Sequence, residues 1–297
     1  MVGVRCTEVL EGCVTCGAGL RPFDAPIAKG VPLRYEGCPS CGLVQMNPRP
    51  DAGELDRFYA SEYRVAQHDE DGQTSAGHQE ARADNIRAIA GLQPRRHLDV
   101  GCSTGILLAA FGAPEQVGIE PGEQHRALAL DAGIEVHETL EALAATEPEP
   151  FDLITISHVL EHVPDPIAFL TTASSVLADE GRIVIEVPNL YGSRSYEVAH
   201  LLCFTLASLT TTLGAAGLDV ERSKLHSIPK GGRGAPKAVT VVAVAAEARP
   251  AGDGTVDLRT MHRHRTWGRA PETVPRWAGR QRRRIARRAR GIVGHRG

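Results

Sequence analysis

Apolar and polar positions in residues 96–248 alternate between short apolar runs, typical of strands, and longer stretches with helical periodicity. The candidate strands are His97–Val100, Gln116–Ile119, Ile134–His137, Leu153–Ile156, Arg182–Glu186, Leu218–Ser223 and Ala238–Ala246. The candidate helices are Gly105–Phe111, Glu123–Ala132, Pro166–Leu177 and Leu206–Ala216. This rhythm predicts an α/β fold with a mainly parallel, doubly wound sheet that helices cover on both faces.

The rest of the chain lacks this alternation. Residues 1–50 are rich in cysteine, glycine and proline, which predicts a small loop-rich module. Residues 51–95 have helical spacing and predict a helical linker or lid ahead of the sheet. Residues 249–297 begin as a linker and continue as an arginine-rich tail. We therefore expect four parts: 1–50, 51–95, 96–248 and 249–297.

Composition excludes several classes of protein. Hydrophobic residues make up 42% of the chain, enough for a buried core. The apolar stretch Ala238–Ala246 is far shorter than the ~20 residues that a transmembrane helix needs. Residues Met1–Leu10 lack the apolar segment of a signal peptide. We therefore expect a cytoplasmic protein, whose seven cysteines do not form a disulfide framework in a reducing compartment.

Charge is distributed unevenly along the chain, although the formal net charge is only −3. Leu258–Gly297 contains 13 arginines and one acidic residue, a net charge of +12, so the remainder carries −15. Within Leu258–Gly297, the segment Arg276–Arg290 has the composition of a basic helix that binds RNA, DNA or an anionic lipid surface. The alternative is a solvated end that contacts the acidic body of its own or another subunit.

Two Cys-x-x-Cys-Gly motifs lie in the first 50 residues and contain Cys13, Cys16, Cys38 and Cys41. The two-residue spacing lets both thiolates of a pair face one tetrahedral ion, and the glycine permits the tight turn. The pattern resembles a zinc ribbon and predicts a structural zinc ion. Four thiolate ligands leave no open position for catalysis. Unrelated buried cysteines and an iron–sulfur centre are the alternatives, and the other three cysteines are interpreted as small buried residues.

A glycine-containing loop connects the first predicted strand of the sheet to the following helix. Gly101 and Gly105 permit a sharp turn and close approach of a ligand, and the helix N-terminus presents free N–H groups. Asp99 lies at the strand end, where a carboxylate can accept a hydrogen bond from an ammonium group. Glu120 ends the next strand and is placed for bidentate binding of ribose hydroxyls. Together these features predict a nucleotide-type cofactor.

The stretch from Asp99 to Gly105, together with Glu120, resembles the cofactor-binding motif of class I S-adenosylmethionine (SAM)-dependent methyltransferases. This chain has Ser103 where that family has the second of three alternating glycines. The resemblance covers roughly residues 80–248 and implies a Rossmann-like sheet with SAM as the cofactor. The cysteine motifs resemble those of a subgroup with an N-terminal zinc-binding segment, some of whose members act on sugars or natural-product intermediates.

Carried over residue by residue, the resemblance implies a set of SAM contacts. The methionine end would be lined by Asp99, Gly101, Cys102 and Gly105, the ribose bound by Glu120, the adenine flanked by Leu140, and the cofactor bordered by Ser157 and His158. Relatives that hold a divalent ion do so with a Glu-x-x-Glu-His set. Because His158 replaces the first of these glutamates, we expect no catalytic metal.

Two histidines are the candidate catalytic residues. Methyl transfer from SAM is an in-line displacement in which the acceptor is aligned and often deprotonated, and histidine suits the second task. His200 follows the fifth strand, in a segment expected to line the acceptor pocket, and is the leading candidate. His162 is the second. For both, simple packing is the alternative.

The sequence therefore predicts a SAM-dependent methyltransferase that modifies an oxygen or carbon of a small molecule, such as a sugar or a natural-product intermediate. One alternative is an RNA or protein methyltransferase that binds its substrate through the zinc module and the basic tail. Another is a SAM-binding scaffold without turnover. The methyl acceptor and the oligomeric state are not specified by the sequence.

Overall fold

The computed structural model describes residues 4–28, 30–61, 76–192, 196–227, 236–251 and 254–267. Part of the expected lid and the expected basic helix, Arg276–Arg290, lie outside these ranges. Among the helices within them, none has both the length and the apolar character needed to cross a membrane.

The N-terminal part consists of short strands followed by two helices. The strands are β1 (Cys6–Glu8), β2 (Arg21–Asp24), β3 (Ile27–Ala28), β4 (Val31–Pro32), β5 (Tyr35–Gly37), β6 (Val44–Met46) and β7 (Arg49–Pro50). The helices are α1 (Ala52–Ser61) and α2 (Ala76–Ala90). Strand β1 pairs with β7, and β3 pairs with β4, both in antiparallel orientation.

Strands and helices alternate through the central part of the chain. They are β8 (Arg96–Val100), α3 (Ile106–Phe111), β9 (Glu115–Ile119), α4 (Glu123–Asp131), β10 (Glu135–His137), α5 (Leu140–Ala144), β11 (Phe151–Ser157), α6 (Pro166–Ser175), β12 (Leu177–Pro188), β13 (Leu202–Cys203), α7 (Leu206–Ala215), β14 (Leu218–His226) and β15 (Ala238–Ala245). A 3₁₀ turn covers Leu160–His162, and α8 covers Leu258–Trp267.

The central sheet has seven strands in the order β10-β9-β8-β11-β12-β15-β14. Every pairing from β10 to β12 is parallel, whereas β15 is antiparallel to both of its neighbours. The predicted α/β fold with a mainly parallel sheet is therefore confirmed. Strand order reverses between β8 and β11, which creates a crevice beyond the carboxyl ends of these two strands.

Apolar side chains on the strands point alternately to the two faces of this sheet. Leu153 and Val184 pack against residues of α2 and α3, whereas Ile154 and Ile185 belong to the cluster that includes residues of α6 and α7. Because helices cover both faces, Leu153–Ile156 of β11 and Ile183–Val187 of β12 are apolar except at Thr155 and Glu186.

A second sheet joins the N-terminal part of the chain to the central part. Its order is β13-β6-β5-β2, so a strand that follows β12 pairs with the N-terminal hairpin. Helix α8 packs on the same sheet, where the Leu258 side chain occupies the space beside Gly37. The backbone N–H of Val256 donates to the carbonyl of Pro39 at 2.7 Å.

Candidate active site and four-cysteine cluster

The loop after β8 bends tightly against the neighbouring strand. The backbone N–H groups of Gly101 and Cys102 both donate to the carbonyl of Ile119, at 2.8 and 2.9 Å. Gly101 has a φ of +80°. A Cβ atom at this position would lie 2.5 Å from Cγ2 of Val159, so the conformation and the space both require glycine.

Asp99 lies fully buried at the carboxyl end of β8. In the parallel register of β8 and β11 it is opposite Thr155, whose hydroxyl donates to Oδ1 of Asp99 at 2.6 Å. Burial raises the pKa of the Asp99 carboxyl to about 7, although the Thr155 hydrogen bond favours ionisation. A cationic ligand group beside Asp99 would lower this pKa.

Glu120 follows the carboxyl end of β9, and both of its carboxylate oxygens accept backbone hydrogen bonds. Oε2 accepts from the N–H of Ser103 at 3.0 Å, and Oε1 accepts from the N–H of Gly122 at 2.7 Å. These contacts join the glycine loop to the end of β9. Each oxygen retains a second lone pair that could accept a hydrogen bond from a ligand hydroxyl.

A small cleft with a cavity volume of about 60 Å³ opens at the crevice beyond β8 and β11. The predicted residues that line it are Asp99, Gly101, Cys102 and Ser157, and α2 adds Gln79 and Arg82. Among the described residues, Oγ of Ser157 has no hydrogen-bond partner although it is buried. The lining of the cleft therefore includes the Asp99 carboxyl group, the Arg82 guanidinium and the unsatisfied Ser157 hydroxyl.

Leu140 lies away from this lining. Its side chain is buried in the main hydrophobic cluster, at the first turn of α5. Gly105, Glu120 and His158 are also outside the residues that line the cleft, although Gly105 and Glu120 belong to the loop and the strand end that shape it. The contacts expected of these residues with a cofactor stay predictions.

His158 joins two buried carboxylates. Its Nδ1 lies 3.3 Å from Oε1 of Glu161, and its Nε2 lies 3.4 Å from Oε1 of Glu186. Burial opposes charge on His158, but the two carboxylates outweigh it and raise the pKa of the imidazole to about 9. With both ring nitrogens facing carboxylates, His158 is poorly suited to remove a proton.

Glu161 is ionised in this arrangement. Burial disfavours its charge, but the hydrogen bond with His158 outweighs burial and lowers the pKa of the Glu161 carboxyl to about 2. Its second oxygen, Oε2, is buried and has no hydrogen-bond partner among the residues that the structure describes. Glu161 therefore has a buried charged oxygen that no described donor satisfies.

The two candidate catalytic histidines lie against each other. The rings of His162 and His200 meet edge to face, with centroids 4.9 Å apart. Nδ1 of His162 lies 2.8 Å from the carbonyl of Ala199 and must carry the proton, because a carbonyl only accepts. Burial lowers the pKa of His162 to about 4, so its ring is neutral and Nε2 holds a lone pair.

Glu161 joins the two histidines in a compact group. One atom from each of Glu161, His162 and His200 lies within 4.8 Å of the others, a spacing at which a carboxylate and two imidazoles could also share a cation. His162 follows β11 and His200 follows β12, so both lie beyond the carboxyl ends of strands, as the cleft does. Tyr196, in contrast, packs as a core aromatic on Tyr35.

The four cysteines of the two motifs converge in the structure. Sγ of Cys13 lies 3.5 Å from that of Cys41, and Sγ of Cys16 lies 3.4 Å from that of Cys38. All four sulfur atoms lie within 4.8 Å of one another. These distances exceed the ~2.05 Å of a disulfide and bracket the separation of about 3.8 Å between thiolates bound tetrahedrally to zinc.

Thiols of this cluster do not ionise independently of one another. A hydrogen bond from Cys41 lowers the pKa of the Cys13 thiol to about 6, whereas desolvation raises that of Cys16 to about 12. The hydrogen bond to Cys13 raises the pKa of Cys41. Four thiolates at this spacing therefore form together only when a positive ion compensates them.

Sequence reasoning missed three groups of the site. Arg82 lines the cleft from α2, and its Nε lies 3.2 Å from Oε1 of Glu186. His226 of β14 contacts Oε2 of Glu186 at 3.2 Å. A polar residue within an apolar strand is a signal that could have identified Glu186. For Arg82 and His226 the sequence offers no such signal, because their contacts depend on long-range packing.

The amino-acid sequence of the chain is similar to those of known methyltransferases. Residues 75–223 match the family model of a methyltransferase domain. A ubiquinone biosynthesis O-methyltransferase of Neisseria meningitidis serogroup C is 31% identical over 229 residues, which cover 72% of this chain and 87% of that protein. The enzyme of the same name from Xanthomonas campestris pv. campestris is 32% identical over 167 residues, covering 48% and 67% of the respective chains.

Among solved structures, the chain resembles the 1,6-didemethyltoxoflavin-N1-methyltransferase of Burkholderia thailandensis, whose structure holds 1,6-didemethyltoxoflavin and S-adenosylhomocysteine. The TM-score is 0.53 at 20% sequence identity, and the match covers 77% of this chain and 95% of that one. This likeness is one of fold.

Proposed function

Because the chain belongs to the methyltransferase domain family, we propose that its cleft binds SAM through the residues described above and that it methylates an oxygen of a small molecule. The chain is a SAM-dependent methyltransferase with a Rossmann-like fold. The observation that supports the proposal is the placement of the Asp99 loop, the cleft and the paired histidines beyond the carboxyl ends of the same sheet.

The charged groups of the cleft fit the amino-acid end of SAM. The Asp99 carboxylate suits the ammonium group, and the Arg82 guanidinium suits the carboxylate. The buried Oγ of Ser157 offers a hydrogen bond that no described residue satisfies. At the other end of the cofactor, Glu120 keeps lone pairs for the ribose hydroxyls.

Bound SAM supplies an electrophilic methyl group on a sulfonium. The residues of the chain then align the acceptor and remove its proton. We assign proton removal to His200. His162 packs its ring against His200, and its Nδ1–H is fixed on the carbonyl of Ala199, which leaves Nε2 as an acceptor.

Oxygen is favoured over carbon as the methylated atom because the relatives above are named O-methyltransferases.

The proposal is tested with the full chain, tritiated SAM and three acceptor panels: small catechols and phenols, nucleotide sugars, and total RNA. We expect label transfer to a member of the small-molecule panels. Transfer to RNA alone, or no release of S-adenosylhomocysteine in the presence of any panel, would overturn the proposal.

The four-cysteine cluster is proposed to bind one structural zinc ion through Cys13, Cys16, Cys38 and Cys41. The sulfur separations support this, as do the turns that follow each pair. Gly17 and Gly42 have φ values of +71° and +76°, and their N–H groups donate to the carbonyls of Cys13 and Cys38. Zinc in such a closed site contributes to folding.

A further inference from the structure

The second Cys-x-x-Cys motif is the turn of a hairpin that reaches the candidate base. Cys38 and Cys41 lie between β5 and β6, and β6 pairs with β13, which begins two residues after His200. The backbone N–H of Met46, at the end of β6, donates to the carbonyl of Leu201 at 2.8 Å. The hairpin therefore binds the chain directly after His200.

Tyr35, the first residue of β5, contacts His200 itself. Its hydroxyl donates to the carbonyl of His200 at 2.8 Å, and the carbonyl of Glu197 is a second, longer acceptor at 3.4 Å. Its ring is 1% exposed and stacks on Tyr196, with centroids 4.5 Å apart and an angle of 25° between the planes. A buried ring with two χ angles and a stacked neighbour places its hydroxyl accurately, so the hydrogen bond has a defined direction.

Helix α8 covers the other side of the same aromatic pair. The guanidinium of Arg265 lies 3.5 Å from the ring centroid of Tyr196, and Nε lies 3.7 Å from the carboxylate of Asp24. Arg265 also donates to the carbonyl of Leu190, which lies two residues after the end of β12. The Tyr35 ring is thus held between the N-terminal sheet and the segment that carries His200.

We infer that Tyr35 is a positioning residue for His200, through which the cysteine hairpin sets the direction of the candidate base. Hydrogen bonds from Tyr35 and Met46 to the carbonyls of His200 and Leu201 hold the two consecutive peptide units that follow Cα of His200, and hence the backbone from which its side chain projects. The N-terminal part of the chain then influences proton removal by His200, in addition to any role in binding. This inference rests on the proposed role of His200.

The test is Tyr35→Phe in the full chain, which removes only the hydroxyl. Imidazole signals are recorded by NMR on protein with ¹³C- and ¹⁵N-labelled histidine, with His200 assigned by His200→Gln. We expect the His200 signals to move, while those of His97, whose contacts are with Thr155 and Phe111, stay in place. Tyr191→Phe is the matched control and should leave the His200 signals unchanged.

Turnover and binding separate positioning from general damage. With an acceptor from the panels above, Tyr35→Phe should lower kcat roughly three- to tenfold, the range for one hydrogen bond, with KM and the affinity for S-adenosylhomocysteine unchanged. If Tyr35→Phe folds poorly, Tyr196→Leu, which removes the stacking partner, should move the same signals. Unmoved His200 signals in a folded variant would overturn the inference, whereas full turnover by His200→Gln would overturn the proposed base instead.

Discussion

At the residue scale, Asp99 is a buried acid whose charge depends on what binds beside it. Its pKa of about 7 comes from burial, and the hydrogen bond from Thr155 and the charge of Arg82 compensate only part of that cost. A ligand ammonium group would complete the compensation, because an opposite charge favours the ionised form. The residue is therefore poised to lose a proton when its ligand arrives.

We predict that binding of SAM releases a proton from Asp99. The complex holds fewer protons than the free protein below pH 7, so affinity should rise with pH up to about 7 and then level off. Calorimetry in buffers of different ionisation enthalpy should give a release of roughly half a proton at pH 7 and nearly one at pH 6. Asp99→Asn should release none, and release by that variant would refute the assignment.

The candidate base gives a second prediction at this scale. His200→Gln should lower turnover roughly 100-fold or more, the usual contribution of general base catalysis, while the affinity for S-adenosylhomocysteine stays unchanged. His125→Gln, on α4, is the control and should keep full turnover. Equal losses in both variants would show that histidine replacement acts through stability alone.

At the scale of elements, the strands of the central sheet were predictable because burial on both faces demands apolar runs. The strand predicted at Leu153–Ile156 lies inside β11, and the helix predicted at Leu206–Ala216 ends one residue later than α7. The pairing of β6 with β13 was not predictable, because it joins segments more than 150 residues apart by backbone hydrogen bonds. No residue type marks such a pairing.

In the candidate active site, too, some residues were predictable from the sequence and others were not. The glycine loop and Asp99 follow from local turn geometry, so the sequence reveals them. The contacts of Glu186 with Arg82 and His226 bring together α2, β12 and β14. They depend on how the helix and strands pack, which periodicity does not describe.

The cysteine hairpin provides a prediction for an element as a whole. Purified full-length protein should contain one zinc ion per chain, and Cys38→Ser should lose it and lower the melting temperature by roughly 10 °C or more, because binding energy in a closed zinc site is folding energy. Cys6→Ser, outside the cluster, should retain the metal. Metal analysis and thermal melting measure both effects. A wild-type protein that contains no zinc and melts at the same temperature as Cys38→Ser would contradict the zinc assignment.

At the scale of the whole molecule, residues 1–257 and residues 258–297 carry opposite net charges. The formal charge of Leu258–Gly297 is +12 and that of the remainder is −15, and the residues that line the cleft all belong to the acidic remainder. In the proposed reaction the small-molecule acceptor contacts the cleft and the paired histidines. That reaction gives no role to residues 268–297.

We therefore predict that deletion of residues 268–297 leaves turnover of the small-molecule acceptor within about twofold of wild type. Steady-state kinetics at low and moderate salt measure the effect, because screening would reveal any contribution of the tail charge. A deletion that abolishes turnover, together with strongly salt-dependent binding of RNA by the full chain, would indicate that the tail holds the substrate.

We propose that the crevice beyond β8 and β11 binds SAM through the Asp99 loop and Glu120. Calorimetric titration of the full chain with S-adenosylhomocysteine tests it most directly, with Glu120→Ala as the variant and Glu123→Ala, an exposed neighbour in the first turn of α4, as the control. We expect one site per chain in the wild type and the control, and loss of binding in Glu120→Ala with its fold retained by circular dichroism. Equal affinity in all three proteins would contradict it.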